Sequence, residues 1–363
     1  MSKNITWIYF KKNYPEVRNI KNLHGQGAEY ERYSLTNIVN AALSRLMPKS
    51  DFYKFFYIYF SFKRQNVPHV FNGIVLTRSD WVTTMETFLP RSADVYSLWQ
   101  LRFALWCLSK NNCKAILAIS NRAIEEQRIQ LGKWVQQGYL QKSASQRIKG
   151  KINLVPPPQK ALGRPKARIG EFLRVIFVGN LFFLKGGREA FLACSRIREN
   201  HRVNLKFVVI STFESDLWFS KTSKQDEDTW KMKLSRCSWV DSLSAIDNEK
   251  VLTHIQRSHV SLFPTKRDSY GYFTLESQAS GVPVISSDYG AQKEINDSEC
   301  GWVVPSSDQP TSVDMTLVAN LERAILESTN EKLRMKKAFN AYERILQIHD
   351  YSEEYLESKI ANM

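Results

Sequence analysis

The chain has 363 residues, 43% hydrophobic and 24% charged, which is enough for two ordinary domains and too apolar for a wholly disordered protein. The five cysteines (Cys107, Cys113, Cys194, Cys237, Cys300) are scattered and form no CxxC pair, which argues against a disulfide framework or a zinc site. The net charge of +15 is unevenly spread: residues 1–170 carry 27 Lys/Arg against 9 Asp/Glu (+18), the remainder 24 against 27 (−3).

No secretory h-region opens the chain, and no run of about 18 apolar residues is long enough to span a bilayer. A cytoplasmic protein with reduced thiols is expected, peripheral at most on the inner face of the cell membrane. ITWIYF, DFYKFFYIYFSF, WVTTM and CKAILAIS read as strands; SLTNIVNAALSRLM and SLWQLRFALWCLSK read as helices. Strand order in this half is not legible. From Gln127 to Gly170 stand ten basic residues and no acid. Such a field attracts anionic lipid surfaces, acidic glycans or nucleic acid; the plainer reading is a solvated basic face. The aromatics of FYKFFYIYFSFKR fit a buried strand, or a patch at headgroup depth beside Lys63 and Arg64.

Pro156 to Gly170 holds three consecutive prolines and a Gly-Arg-Pro, a composition that breaks helix and sheet alike and reads as a linker. Beyond it apolar runs alternate with helical patterns. RVIFVG, LKFVVIS, VSLFP, VPVISS and GWVVP are strands; GREAFLACSRIREN, NEKVLTHIQRS and FTLESQAS are helices. The tail over 329–363 reads as amphipathic helix. Continuous apolar strands separated by helices predict a parallel sheet covered on both faces, a doubly wound α/β domain.

FVGNLFFLKGG, VSLFPTKRDSYGYFTLESQASGVPVISSDYGAQKEI and CGWVVP resemble, in order and spacing, the donor half of the family 4 retaining glycosyltransferases (glycosyl transferases group 1). The likeness covers roughly 170–310 and is thin in the first half, where PHVFN, WVTTMET, AILAISN and KINLVPP occupy corresponding places. It implies a GT-B fold: two Rossmann-like doubly wound domains facing across a cleft. The expected divisions are an acceptor-side domain over 1–168, a donor domain over 169–340, and a C-terminal helix over 341–363 returning toward the first domain.

A donor diphosphate needs concentrated positive charge, and a helix N-terminus supplies it through unpaired N–H groups. Gly271 lets the backbone approach closely, while Tyr272, Phe273 and Thr274 open the helix below it. Lys185, after the strand exit at Gly179 and Asn180, can neutralise the phosphates from the other side. The resemblance implies that Asp268 meets the hydroxyls of the transferred sugar and Glu276 the ribose diol. Ser269 and Tyr270 lie between these acids. Glu294 is then near the nucleotide, and Val240, within WVDS, lies where the family closes over the base.

The two acids, eight positions apart, then read as recognition groups at the ends of the donor, as the resemblance implies, rather than as a glycosidase pair. The implied reaction is front-face retaining transfer of a hexosyl group, with a donor phosphate oxygen taking the acceptor proton and no metal or other cofactor. Two positions depart from the pattern. Asn180 replaces an arginine, with Arg188 or a neighbouring cation to compensate, and Glu86 stands where a histidine is common. The candidate catalytic set is Asp268, Glu276, Lys185 and Glu86.

Each residue has a plainer reading: Asp268 as a turn cap, Glu276 as a helix-face acid, Lys185 as part of an ordinary strand-to-helix turn. The expected partners are a nucleotide-sugar donor, a glycan or lipid-linked acceptor in surface polysaccharide synthesis, and an anionic membrane for the basic half. Two alternatives stay open: a nucleotide-sugar epimerase of the same fold, and a non-catalytic protein that binds glycan or nucleic acid. No nucleic-acid-reading motif is present, so nucleic acid is not the expected partner. The sequence is silent on oligomeric state.

Overall fold

The computed structural model describes residues 6–11, 14–30, 39, 55–60, 65–91, 96–167, 170–216, 219–244, 246–306 and 313–350. The chain divides into two compact units, with the break after Pro158. This falls inside the expected linker but earlier than residue 168. The reason is that Gln159 donates its N–H to the His349 carbonyl, and Leu162 and Gly163 donate theirs to Ala279. The linker's second part is therefore fastened to the second unit. Residues 341–350 also stay with that unit rather than opening a separate helix. The tail beyond 350, the expected helix at SLTNIVNAALSRLM apart from Val39, and Lys63 and Arg64 lie outside the described residues.

In the first unit, β1 (Thr6–Tyr9), β2 (Ala28–Tyr30), β4 (Asn66–Phe71), β6 (Trp81–Met85), β7 (Cys113–Ala118) and β8 (Ile152–Leu154) form one parallel sheet in the order β2-β1-β4-β6-β7-β8. A small parallel pair, β3 (Phe56–Ile58) and β5 (Ile74–Leu76), stands apart from it. Along β7 the side chains alternate: Ile116 and Ala118 enter one apolar cluster, Ala115 and Leu117 another. Both faces are thus covered, as uninterrupted apolar strands demand. Helices α1 (Leu98–Ser109), α2 (Asn121–Gln136) and α3 (Lys142–Lys149) supply cover for the first cluster. Phe56, Tyr57 and Tyr59 are buried in it, so those aromatics are core, and only Phe60 of the described part of that run is exposed.

The second unit is one sheet of six parallel strands: β9 (Leu173–Val178), β10 (Leu205–Ile210), β11 (Val240–Leu243), β12 (Val260–Phe263), β13 (Val284–Ser287) and β14 (Gly301–Val304). Their spatial order is β11-β10-β9-β12-β13-β14, the doubly wound arrangement that reverses between β9 and β12. Val175, Phe177, Phe207 and Val209 face one cluster; Ile176, Val208 and Ile210 face the other. Helix α4 (Gly187–His201) buries Ala190, Phe191, Cys194 and Ile197, a stripe at helical spacing. It shares that cluster with α9 (Met315–Ser328), whose N-cap Asp314 accepts the Leu317 N–H at 2.9 Å. Helices α5 (Lys224–Ser235), α6 (Asn248–Gln256), α7 (Tyr272–Ala279), the short α8 (Gln292–Ile295) and α10 (Glu331–Arg344) complete the unit.

Candidate active site

In a doubly wound sheet, ligands bind beyond the carboxyl ends of the strands where the order reverses. Here the loops that meet at that point leave β9 and β12, and they carry Lys185 and Asp268. The two side chains form an ion pair, each about one-fifth exposed, and the Lys185 ammonium also donates to the Arg267 carbonyl at 3.0 Å. The remaining Asp268 oxygen accepts the Tyr270 N–H at 3.0 Å. Two residues singled out from separate motifs are therefore brought into contact across 83 positions of sequence.

Glycines make this closeness possible. A Cβ at Gly179 would press on the Lys185 Cγ at 3.0 Å, and one at Gly186, which has φ of +78°, would run into the Pro264 carbonyl. Beneath the ion pair, the Lys266 ammonium meets Glu189 at 2.8 Å with both side chains wholly buried. Lys266 also donates its N–H to the Leu184 carbonyl. That pair clamps the β12 loop to the first turn of α4, so it fixes the spacing of the two loops above it. Sequence reasoning missed both residues: Lys266 stands inside the VSLFPTKRDSYG stretch and Glu189 in GREAFLACSRIREN, but nothing in the sequence pairs them.

Gly271 adopts φ of +100° immediately before α7, and a Cβ there would collide with the side-chain amide of Gln292. Gln292 is fully buried: its Nε2 donates to the Tyr270 carbonyl at 2.7 Å, and its Oε1 accepts the Thr274 hydroxyl at 2.8 Å. One neutral side chain on α8 thus holds the entry to α7 from both sides. Phe273 packs on Phe263, and the Thr274 N–H returns to Gly271, so Phe273 and Thr274 shape the helix start with inward-facing side chains. Glu276 lies one turn further on and is 8% exposed. Ser269 is half-buried, and Tyr270 is buried with its ring 5.4 Å from that of Tyr272.

The other candidates separate from this group. Asn180 is exposed, and it is its backbone carbonyl that acts, accepting from the Glu214 N–H at 3.1 Å and the Ser211 hydroxyl at 3.2 Å. Arg188 lies with its guanidinium 5.4 Å from the Phe183 ring; Arg267 lies over Phe219 at 3.7 Å. Glu294 is exposed on α8, two residues past Gln292. Val240 does not join the group. It opens β11, pairs in register with Phe207 and packs against the apolar cluster, three residues short of the strand's carboxyl end.

Glu86 belongs to the first unit and follows β6. Asn72, which follows β4 with φ of +54°, exchanges two hydrogen bonds with it: Nδ2 to the carboxylate at 3.2 Å and the Glu86 N–H to Oδ1 at 3.0 Å. Arg91 reaches the same carboxylate at 3.4 Å. Glu16 is buried near this group; burial pushes its carboxyl up, with a smaller push from Glu86 against a pull from Lys11. Asn72, Arg91 and Glu16 are not singled out by the sequence. Among the described residues, no group of three or more His, Cys, Asp or Glu side chains is placed to hold a metal ion, and no helix is long and apolar enough to cross a membrane.

The sequence profile described as "Glycosyl transferases group 1" matches residues 161–343, half of the chain. The chain belongs to the glycosyl transferases group 1 family. Among solved structures this group 1 chain is similar to Anabaena HepE in complex with UDP and glucose, at 12% identity and a TM-score of 0.61, covering 99% of this chain and 98% of that one. It is similar to the pneumococcal O-GlcNAc transferase GtfA in complex with UDP and GlcNAc, at 14% identity and a TM-score of 0.55. It is also similar to TarM of S. aureus, at 13% identity and a TM-score of 0.56. In both of these, 83% of this chain is covered, and it spans just over half of the other's length, 56% of GtfA and 55% of TarM. At such identities the likeness establishes the GT-B fold. No curated protein sequence matches the chain.

Proposed function

We propose that the chain is a retaining glycosyltransferase that moves a hexosyl group from a nucleoside-diphosphate sugar to a glycan or lipid-linked glycan acceptor in surface polysaccharide synthesis. The observation that carries this reading is the meeting of Lys185 and Asp268 at the β9/β12 reversal, beside the left-handed Gly271 that opens α7. Lys185 and the start of α7 offer positive charge to a diphosphate; Asp268 and Glu276 offer carboxylates to the hydroxyls at its two ends. In this reading the acceptor hydroxyl attacks on the face from which the nucleoside diphosphate departs, and a phosphate oxygen of the leaving group takes its proton. Glu86, held by Asn72 and Arg91, is assigned to the acceptor side. The basic first half supports an acceptor held at the anionic inner face of the cell membrane.

Uridine diphosphate and its sugars are the first donors to test, because HepE and GtfA were solved with UDP. In a thermal-shift panel of nucleoside diphosphates and their sugars, a ligand at about 100 times its Kd stabilises the native state by roughly 2.7 kcal/mol. At least one sugar nucleotide should raise the Tm. If none does, the reading fails.

A further inference from the structure

Helix α1 of the first unit, LWQLRFALWCLS, contains no acid and carries large aromatic rings on its outer side as well as apolar residues on its inner one. Leu101, Ala104, Leu105 and Leu108 fill the core. The opposite stripe, at helical spacing, is Trp99, Arg102, Trp106 and then Lys110 just past the helix end. Trp99 is 65% exposed and Trp106 52%, and the Lys110 ammonium stands 3.4 Å above the Trp106 ring. Beside them Phe60 is 70% exposed. A cavity of about 360 Å³ opens between Phe60, Trp106, Leu76, Arg78 and Lys110, and no acid is among the described residues that line it. The acid nearest in the adjoining turn, Asp80, is paired with Lys114 at 3.4 Å.

We propose that this face, Trp99, Trp106 and Phe60 with Arg78, Arg102 and Lys110, docks on an anionic lipid bilayer, the rings seated at headgroup depth. The charge selects the occupant. Protein interfaces concentrate apolar groups in a core depleted of charge, whereas here Lys110 stands over the Trp106 ring, Arg102 shares the exposed stripe, and Arg78 lines the cavity with Phe60. Large amphipathic rings interleaved with Lys and Arg match the boundary between acyl chains and anionic headgroups. Position agrees: Trp81 begins β6 and Asn112 precedes β7, so the cavity lies at the amino ends of those strands, the opposite edge from Glu86. A bilayer seated here leaves Glu86's edge of the sheet uncovered. The proposal rests on the membrane-held acceptor above only for its purpose; the surface itself is argued from its own residues.

The test is co-flotation of the full chain with vesicles of equal parts phosphatidylcholine and phosphatidylglycerol, against vesicles of phosphatidylcholine alone. Wild type should float with the mixed vesicles, lose binding as salt rises, and show a blue-shifted tryptophan emission. Each cation near an anionic leaflet strengthens binding on the order of fivefold, so R78Q/K110Q should bind roughly 25-fold more weakly. W99S/W106S should lose at least tenfold while keeping its Tm shift with sugar nucleotides. Failure of wild type to float, or full binding by W99S/W106S, overturns the proposal. So does a lipid-free dimer that W99S/W106S converts to monomer, which would make the face a protein interface. A chain that floats yet responds to no sugar nucleotide would sink the glycosyltransferase reading and leave this surface standing.

Discussion

Lys266 and Glu189 meet at 2.8 Å with side-chain exposures of 1% and 0%, and they join the two loops that carry Asp268 and Lys185. A pair so deeply buried recovers little more than its own desolvation, yet breaking it leaves one charge stranded. Lys266→Met should therefore cost about 3–5 kcal/mol in urea unfolding. The double variant K266M/E189L should regain much of that loss, because an apolar pair removes the stranded charge. A double variant as unstable as the single one would show that the pair has another role.

Lys185→Ala and Glu276→Ala should each weaken donor binding by about 10–100-fold, the range for losing a charge-assisted hydrogen bond. Lys185 is only partly buried and paired at the surface of the unit, so the circular dichroism spectrum should not change. Isothermal titration with a sugar nucleotide reads the first effect. Wild-type affinity in both variants would remove these residues from the site.

At Gly271 the expected damage is local and steric. Gly271→Ala must both hold φ near +100° and displace the Gln292 amide, which would break its bonds to Tyr270 and Thr274. The strained backbone alone costs about 1–3 kcal/mol. The Tm should fall, and sugar-nucleotide binding should be lost even below that lower Tm. A variant that binds normally would show that the start of α7 does not touch the donor.

Part of the acid sensitivity should come from two buried histidines of the first unit. His24 Nε2 lies 2.8 Å from His69 Nδ1, and His69 Nε2 lies 2.8 Å from the Thr84 hydroxyl, with His24 stacked on Trp7. Burial lowers both imidazoles, His69 to about 3 and His24 well below its ordinary value, with His69 adding to the push on His24. Both are neutral when folded and titrate near 6.5 when unfolded. The unfolded state thus binds more protons below that point. The stability is present above pH 6.5 and lost as pH falls toward 3, by up to about 1.4 kcal/mol per pH unit for each histidine. Urea midpoints at neutral and mildly acidic pH should show a shallower decline in His69→Gln than in wild type. Identical slopes would place the acid sensitivity elsewhere.

Five of the six strands of the second unit are legible because they are apolar runs closed by Gly, Pro or Ser, and a sheet covered on both faces needs such runs. Helix α5 is not, since KQDEDTWKMKLS buries only Glu227 and Leu234 and leaves no apolar stripe to read. Strand β11 is not legible as a strand: WVDS is short and half-polar, the resemblance places it where the family closes over the base, and its pairing with β10 comes from contacts distant in sequence. Lys185, Asp268 and Gly271 are visible because they stand in the motifs that carry the family resemblance. Gln292 and the Lys266–Glu189 pair are not: their roles exist only once loops far apart in sequence are adjacent. In the first unit the order β2-β1-β4-β6-β7-β8 could not be read, because six parallel strands of similar composition specify their neighbours through packing.

The contact between Lys185 and Asp268 has a consequence for selectivity. Each side chain neutralises the other, so the pair by itself presents little net attraction to small ions. An inorganic phosphate that takes Lys185 must leave Asp268 without its cation. A ligand bearing both an anion and hydroxyl groups gives each residue a new partner in the same event. Under the proposed function, admission is then an exchange of partners, and it favours molecules that carry both chemistries at the right separation over those that carry either alone.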